Sequence, residues 1–219
     1  MRWPWPLQSA YTLAQFESWG QEAVPEIVRI EQTAYSHPWT SGHFVDSIKS
    51  GYRCVRLRLN DETLGYHVAV RGPGEMHLLN LTVAPAHQRR GLGLRLLNEL
   101  IDHCRSEKLT DLWLEVRQSN LAAQALYAKS GFSTVGLRKD YYPLDASRRE
   151  HAVVMRWRVP AAEVAHALLI LNGPVVLRHL HLKMTEPTAE QIWQSVLHPQ
   201  VSCREYWAWC WQRCRCQQE

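Results

Sequence analysis

Met76-His77-Leu78-Leu79-Asn80-Leu81-Thr82-Val83-Ala84-Pro85, then, after Ala86-His87, Gln88-Arg89-Arg90-Gly91-Leu92-Gly93 is the stretch on which the fold turns. Its first part is almost continuously apolar, as a strand buried on both faces is, and Pro85 ends it. Beyond Gly93, Leu96, Leu97, Leu100, Ile101 and Cys104 recur at helical spacing. A strand that passes through a two-glycine loop into a helix aims free backbone N–H groups and the positive helix end at one spot. Gly91 and Gly93 let the backbone approach a ligand, and Arg89 and Arg90 add positive charge. A pyrophosphate fits such a spot, although a plain strand–helix connection with glycines for close packing fits the same residues. Two other phosphate loops are excluded. No Gly-Lys-Ser/Thr ending is present, and Leu96 stands where a Rossmann turn needs its third glycine.

Outward from this stretch the pattern alternates. Residues 21–35 read as a helix with Val24, Ile27, Val28 and Ile30 on one stripe, broken at Pro38. Thr40 or Ser41 can cap a second helix through Ile48. Strands follow at Cys54–Leu59 and Leu64–Val70, with a turn at Asn60-Asp61-Glu62 between them. After the central strand and helix come a strand over Asp111–Val116, a helix over residues 120–130 with a left-handed cap at Gly131, and closing strands at Val135–Leu137 and Ala152–Trp157. This order predicts an α/β (α+β) protein with a sheet flanked by helices.

The chain has 219 residues, which suits one domain with an appendage. The break falls near Pro160. Residues 160–219 hold four Trp and four Cys and lose the regular pattern, so 1–159 is read as the folded domain and 160–219 as an irregular C-terminal extension. The formal charge of +4 is too small to predict a nucleic-acid binder, though it can help attract an anionic cofactor. Ala161–Leu171 is too short to cross a membrane, and Met1–Pro6 lacks the apolar core of a signal peptide, so a cytoplasmic location is expected. In that setting Cys54 and Cys104 read as reduced thiols packed in the core. Cys203, Cys210, Cys214 and Cys216 lack the short Cys-x₂-Cys spacing of a zinc site, and the core shows no metal-ligand pattern.

A second block carries candidate chemistry: Leu112-Trp113-Leu114-Glu115-Val116-Arg117, Asn120, Ala125-Leu126-Tyr127, and Gly131-Phe132. The first stretch resembles the acetyl-CoA signature of the GNAT superfamily, and the acyl transfer to an amine which that resemblance implies needs a base for the ammonium proton and an acid for the departing thiolate. A free α-amine has a pKa of ~7.7–8.0, so a carboxylate acting through water is sufficient as the base. Glu115 suits the base and Tyr127 the acid. Each has a structural alternative: Glu115 paired with Arg117 or Arg138, and Tyr127 covering the core.

Leu81-Thr82-Val83-Ala84-Pro85 with Gln88-Arg89-Arg90-Gly91-Leu92-Gly93 resembles the acetyl-CoA signature of the GNAT superfamily. The second block, together with Ile30-Glu31-Gln32, Pro38-Trp39 and Asp140-Tyr141-Tyr142-Pro143, is similar to its ribosomal-protein-alanine N-acetyltransferase (RimI-type) branch, over roughly residues 24–157. The resemblance implies a mixed, strongly twisted sheet in which two parallel strands splay apart for acetyl-CoA. It implies pyrophosphate contacts from Gln88, Arg89, Arg90, Gly91, Leu92 and Gly93, and pantetheine contacts along Leu81, Thr82 and Val83. It also implies Asn120 on the cofactor side, Glu115 as general base and Tyr127 as general acid. The expected acceptor is a protein or peptide N-terminal amine, with a ribosomal protein leading. A small amine, an amino acid or a lysine is the alternative, and a non-catalytic acyl-CoA-binding module the second. A monomer is expected, with no nucleic-acid, membrane or metal partner. Trp39 and Tyr141 are candidates for the acceptor groove, or for sealing a sheet edge. One departure stands out. The branch commonly has Arg-Glu-Asp-Ala where this chain has Arg149-Glu150-His151-Ala152, so a carboxylate near the acceptor ammonium is expected to be missing.

Overall fold

The structure, a computed structural model, describes residues 11–145 and 147–159. Seven strands form one sheet: β1 (Gln15–Ser18), β2 (Arg53–Leu59), β3 (Glu62–Gly72), β4 (Glu75–Val83), β5 (Asp111–Arg117), β6 (Ser133–Pro143) and β7 (Arg149–Arg158), in the order β1-β2-β3-β4-β5-β7-β6. Every neighbouring pair is antiparallel except β4 and β5. The helices are α1 (Val24–Ala34), α2 (Ser41–Lys49), α3 (Leu92–Ser106) and α4 (Leu121–Lys129). The mixed sheet flanked by helices is the expected one. The parallel pair exists because α3 carries the chain back across the sheet, a return that a tight turn cannot make.

Two apolar layers hold the helices on the sheet. Leu97, Leu100, Ile101 and Cys104 of α3 pack with Met76, Leu78, Leu112 and Leu114. Ile27 of α1 and Phe44 of α2 pack with Trp19, Cys54, Tyr66 and Val68. Cys54 and Cys104 are free and buried, as expected, and burial pushes their thiols up to about 11 and about 12.

The structure revises three boundaries. The helix expected over 21–35 opens with a 3₁₀ turn at Gln21–Ala23, and the α-helix starts at Val24 with Pro25 in its first turn, where a missing N–H costs nothing. The four-residue β1 has no clear alternation and forms by pairing with β2. Strand β6 runs eleven residues rather than three, with an irregularity between Arg138 and Tyr142 where Asp140 takes φ +49°. The expected extension over 160–219, with its cysteines, lies outside the described residues. Among the described residues no helix is long and apolar enough to cross a membrane.

Candidate active site

The site begins where the parallel pair stops. Strands β4 and β5 are in register only from Glu75–Asp111 to Leu78–Leu114. Strand β4 continues to Val83 paired with β3, and β5 continues to Arg117 paired with β7. The two therefore part, leaving the β5-facing edge of Leu79–Val83 without a strand partner. A register shift opposite Val68/Ala69 helps, because a bulge bends the strand that carries it. Gly65 allows β3 to follow: a Cβ there would stand 2.6 Å from the Thr82 carbonyl oxygen.

The phosphate loop lies at the end of this edge. Gly91 is the N-cap of α3 with φ +79°, a left-handed conformation that a side chain disfavours. The first intrahelical bond is Arg95 N–H to the Gly91 carbonyl, so the amides of Leu92, Gly93 and Leu94 precede the helical ladder. Gln88 Nε2 donates to the Val83 carbonyl at 3.1 Å and ties the loop to the strand end. Arg89 is exposed with φ +63°. Arg90 donates to the Tyr11 hydroxyl and lies over that ring. The Leu92 side chain is core, leaving only its backbone for a ligand. Gly93 faces Leu126 of α4, where a Cβ would meet Cδ2 at 3.4 Å. An open strand edge that leads to free amides at a glycine-capped helix fits the pantetheine and pyrophosphate of a CoA thioester.

Glu115 stands on β5 just past the last paired position. Its buried Oε1 is 2.8 Å from Arg138 Nε, an ion pair. Burial raises its pKa, and Arg138, a hydrogen bond from Tyr141 and the nearby His77 work against that rise. Of the two arginines proposed as its partner, Arg138 is the one found, while Arg117 pairs with Glu150 at 2.8 Å. Tyr141 is thus drawn onto Glu115, and its ring stands edge-on to Tyr142, whose hydroxyl donates to the Glu115 carbonyl at 3.2 Å.

Tyr127 on α4 is 7% exposed and packs on Phe132 at 5.7 Å. Burial pushes its phenol up, and the phenols of Tyr35 and Tyr142 add to the rise. Tyr35 and Tyr142 therefore lie near enough to Tyr127 to act on it. Neither was singled out from sequence. A tyrosine near a helix end carries no local signal, though Tyr142 lies inside the Tyr-Tyr-Pro turn. Asn120 is the N-cap of α4 and accepts from Ala123 N at 3.1 Å, so its carbonyl oxygen already has a structural task. Trp39 is half-buried against Phe44 and His43, which places its ring on the α1–α2 turn. Thr82 is buried, with its hydroxyl turned to Glu31. His151, which stands where the branch commonly has Asp, accepts at Nδ1 from the Asp140 backbone N–H at 3.0 Å.

A parted parallel pair above a glycine-capped helix, with a buried carboxylate at the parting, defines a CoA-dependent acyltransferase site. The profile of the acetyltransferase (GNAT) family matches residues 13–132, and the chain belongs to that family. It is an acetyl-CoA-dependent N-acetyltransferase, and its relatives sharpen the branch. The ribosomal protein bS18-alanine N-acetyltransferase of Haemophilus ducreyi is 36% identical over 129 residues, 59% of this chain and 89% of that protein. The crystal structure of the ribosomal-protein-S18-alanine N-acetyltransferase from Escherichia coli superposes with a TM-score of 0.63 at 34% identity, over 67% of this chain and 94% of that one. The fold is shared with yncA of Salmonella typhimurium, solved with acetyl-CoA, at TM-score 0.57 and 17% identity, over 68% and 95% of the two chains. Among the described residues no group of three or more His, Cys, Asp or Glu side chains is placed to hold a metal.

Proposed function

We propose that this enzyme acetylates the N-terminal amine of a protein, with an N-terminal alanine of a ribosomal protein as its acceptor. The observation that carries the chemistry is Glu115, a half-buried carboxylate that stands where β4 leaves β5 and whose pKa burial raises. The acceptor class is supported by identity near 36% over almost the whole length of enzymes named for that reaction.

In this reading the thioester arm lies along Leu81–Val83, and its pyrophosphate meets the amides and side chains of Gln88–Gly93. Glu115, directly or through a water, takes the proton of the acceptor ammonium. The freed amine attacks the thioester carbonyl, the C–S bond breaks, and Tyr127 gives its proton to the CoA thiolate; the second proton that the nitrogen loses as the amide forms then restores the phenol, directly or through water. Burial raises the Glu115 pKa, which makes it a stronger base, and holds Tyr127 in the protonated form that can donate, while making it a weaker acid. The acetyl group passes directly to the amine, because the buried thiols of Cys54 and Cys104 are held protonated at neutral pH. Trp39 and Tyr141 line the acceptor side, one on the α1–α2 turn and the other on β6 beside Glu115.

Mass spectrometry of reactions with acetyl-CoA and an amine panel tests this. The panel holds alanine-first peptides of ribosomal protein S18, the same peptides with a blocked N-terminus, an internal lysine peptide and small polyamines. Acetylation confined to free alanine N-termini is expected. Faster turnover of a small amine or of the lysine peptide would move the acceptor to the other class.

A further inference from the structure

One buried carboxylate outside the residues assigned to chemistry joins the two walls of the site. Glu31, on α1, is 2% exposed. Its Oε1 accepts from the Trp39 backbone N–H at 3.1 Å and from Asn80 Nδ2 at 3.0 Å. Its Oε2 accepts from the Tyr66 hydroxyl and from Thr82 Oγ1, the latter at 3.2 Å. Thr82 Oγ1 also lies 2.7 Å from Asn80 Oδ1 and 3.2 Å from the Tyr35 hydroxyl, which donates to the Leu81 carbonyl at 3.2 Å. The carboxylate therefore touches the turn that carries Trp39 and the strand that opens from β5. An apolar residue at 31 would leave these four donors without their acceptor, so the carboxylate is what ties the turn to the strand. Transfer needs that geometry: a small misplacement of an amine from a carbonyl lowers the rate steeply.

We infer that Glu31 is a positioning residue that registers the acceptor turn at Trp39 against the thioester edge at Leu81–Thr82, with Thr82 and Tyr35 completing the link to the Leu81 carbonyl. This rests on the acceptor and thioester sides assigned above. It separates alignment from cofactor capture, because the Gln88–Gly93 loop is held by Val83 and α3 and has no bond to Glu31 among those described. It also makes Gln the tolerated substitute. The hydroxyls of Tyr66 and Thr82 can rotate to accept from the new amide NH₂, while its carbonyl still serves Trp39 and Asn80.

The test uses the full chain, with the best acceptor from the amine panel under wild-type conditions. A wrong acceptor class thus shows itself before any variant is made. Glu31→Ala is expected to lower kcat/KM for the acceptor on the order of tenfold or more, with most of the loss in acceptor KM and kcat. Its Kd for acetyl-CoA, measured by calorimetry without acceptor, stays within about threefold of wild type. Glu31→Gln is expected to restore most of the loss. Unchanged acceptor kinetics in folded Glu31→Ala, a parallel loss of acetyl-CoA affinity, or an equal loss in Glu31→Gln would each overturn the assignment. Where Glu31→Ala does not fold, Tyr35→Phe decides, since it removes the hydroxyl that links Thr82 to the Leu81 carbonyl and keeps the ring. A fall in kcat of about threefold or more at unchanged melting temperature is expected, and wild-type kcat would overturn the inference.

Discussion

The two halves of the proposed site are built in different ways. The proposed phosphate side is one contiguous segment, Val83 to Gly93, and would work through backbone amides whose direction is set by a glycine at φ +79° and by the start of a helix. The proposed chemical side is assembled from β5, α4 and β6, and would work through the side chains of Glu115 and Tyr127, with Tyr141 and Tyr142 packed beside Glu115. Its electrostatics depend on burial and on Arg138, neither of which belongs to any one segment. A local loop survives changes elsewhere in the molecule. An assembled pocket responds to every element that supplies it. Substitutions on one side should therefore leave the other side's observable nearly untouched.

The largest effect is expected at Glu115. Glu115→Gln should lower kcat/KM by about 10²–10⁴-fold, the usual worth of a general base, while acetyl-CoA binding measured by calorimetry stays close to wild type. The loss should shrink as pH rises toward the amine's own pKa, where the acceptor deprotonates without help. A rate loss matched by lost cofactor affinity would merge the two halves. Tyr127→Phe comes next, with kcat down by roughly tenfold to a hundredfold and little change in acetyl-CoA Kd, because the phenol acts only as thiolate charge develops. Single-turnover kinetics separate this from slow product release.

The loop is broken in the opposite sense. In the wild type, acetyl-CoA at a hundred times its Kd should add about 2.7 kcal/mol of stability. Gly91→Val places a β-branched side chain in the left-handed region, at a cost of about 1–2 kcal/mol, and should remove most of that ligand-induced shift in melting temperature. A full shift in this variant would detach the loop from the cofactor. The smallest effect tests the electrostatics alone. Arg138 lowers a Glu115 pKa that burial raises. Since the deprotonated carboxylate is the active form, the acid limb of kcat/KM should lie above the ordinary carboxylate range. In Arg138→Met it should move to still higher pH, leaving the plateau rate nearly intact. A limb that stays in place would show that another group controls it.

The fold was largely legible because its strongest signals are local. The apolar run Met76–Val83, the glycine loop and the helical stripe of α3 each declare themselves within a few residues. Gly131 is left-handed as expected, and Thr40 caps α2, its own N–H bonded to His43 Nδ1 at 2.9 Å. The elements that were missed or shortened are those with weak local patterns. β1 owes its form to pairing with Arg56–Leu57, and the outer part of β6 exists because β7 reaches back to Tyr142 and Pro143.

The sequence by itself determined that a buried strand enters a glycine-capped helix, and hence that free amides converge on one spot, since this follows from backbone conformation over a dozen residues. It also offered Glu115 and Tyr127 as the proposed base and acid. Only the tertiary structure decided what surrounds them: that Arg138 and not Arg117 pairs with Glu115, that Tyr35 and Tyr142 join Tyr127, and that Glu31 bonds to Trp39, Asn80 and Thr82 at once. The Glu31 bonds alone reach residues up to 51 positions away. Their strength comes from burial shared among strands and helices, a property that no local stretch of sequence carries.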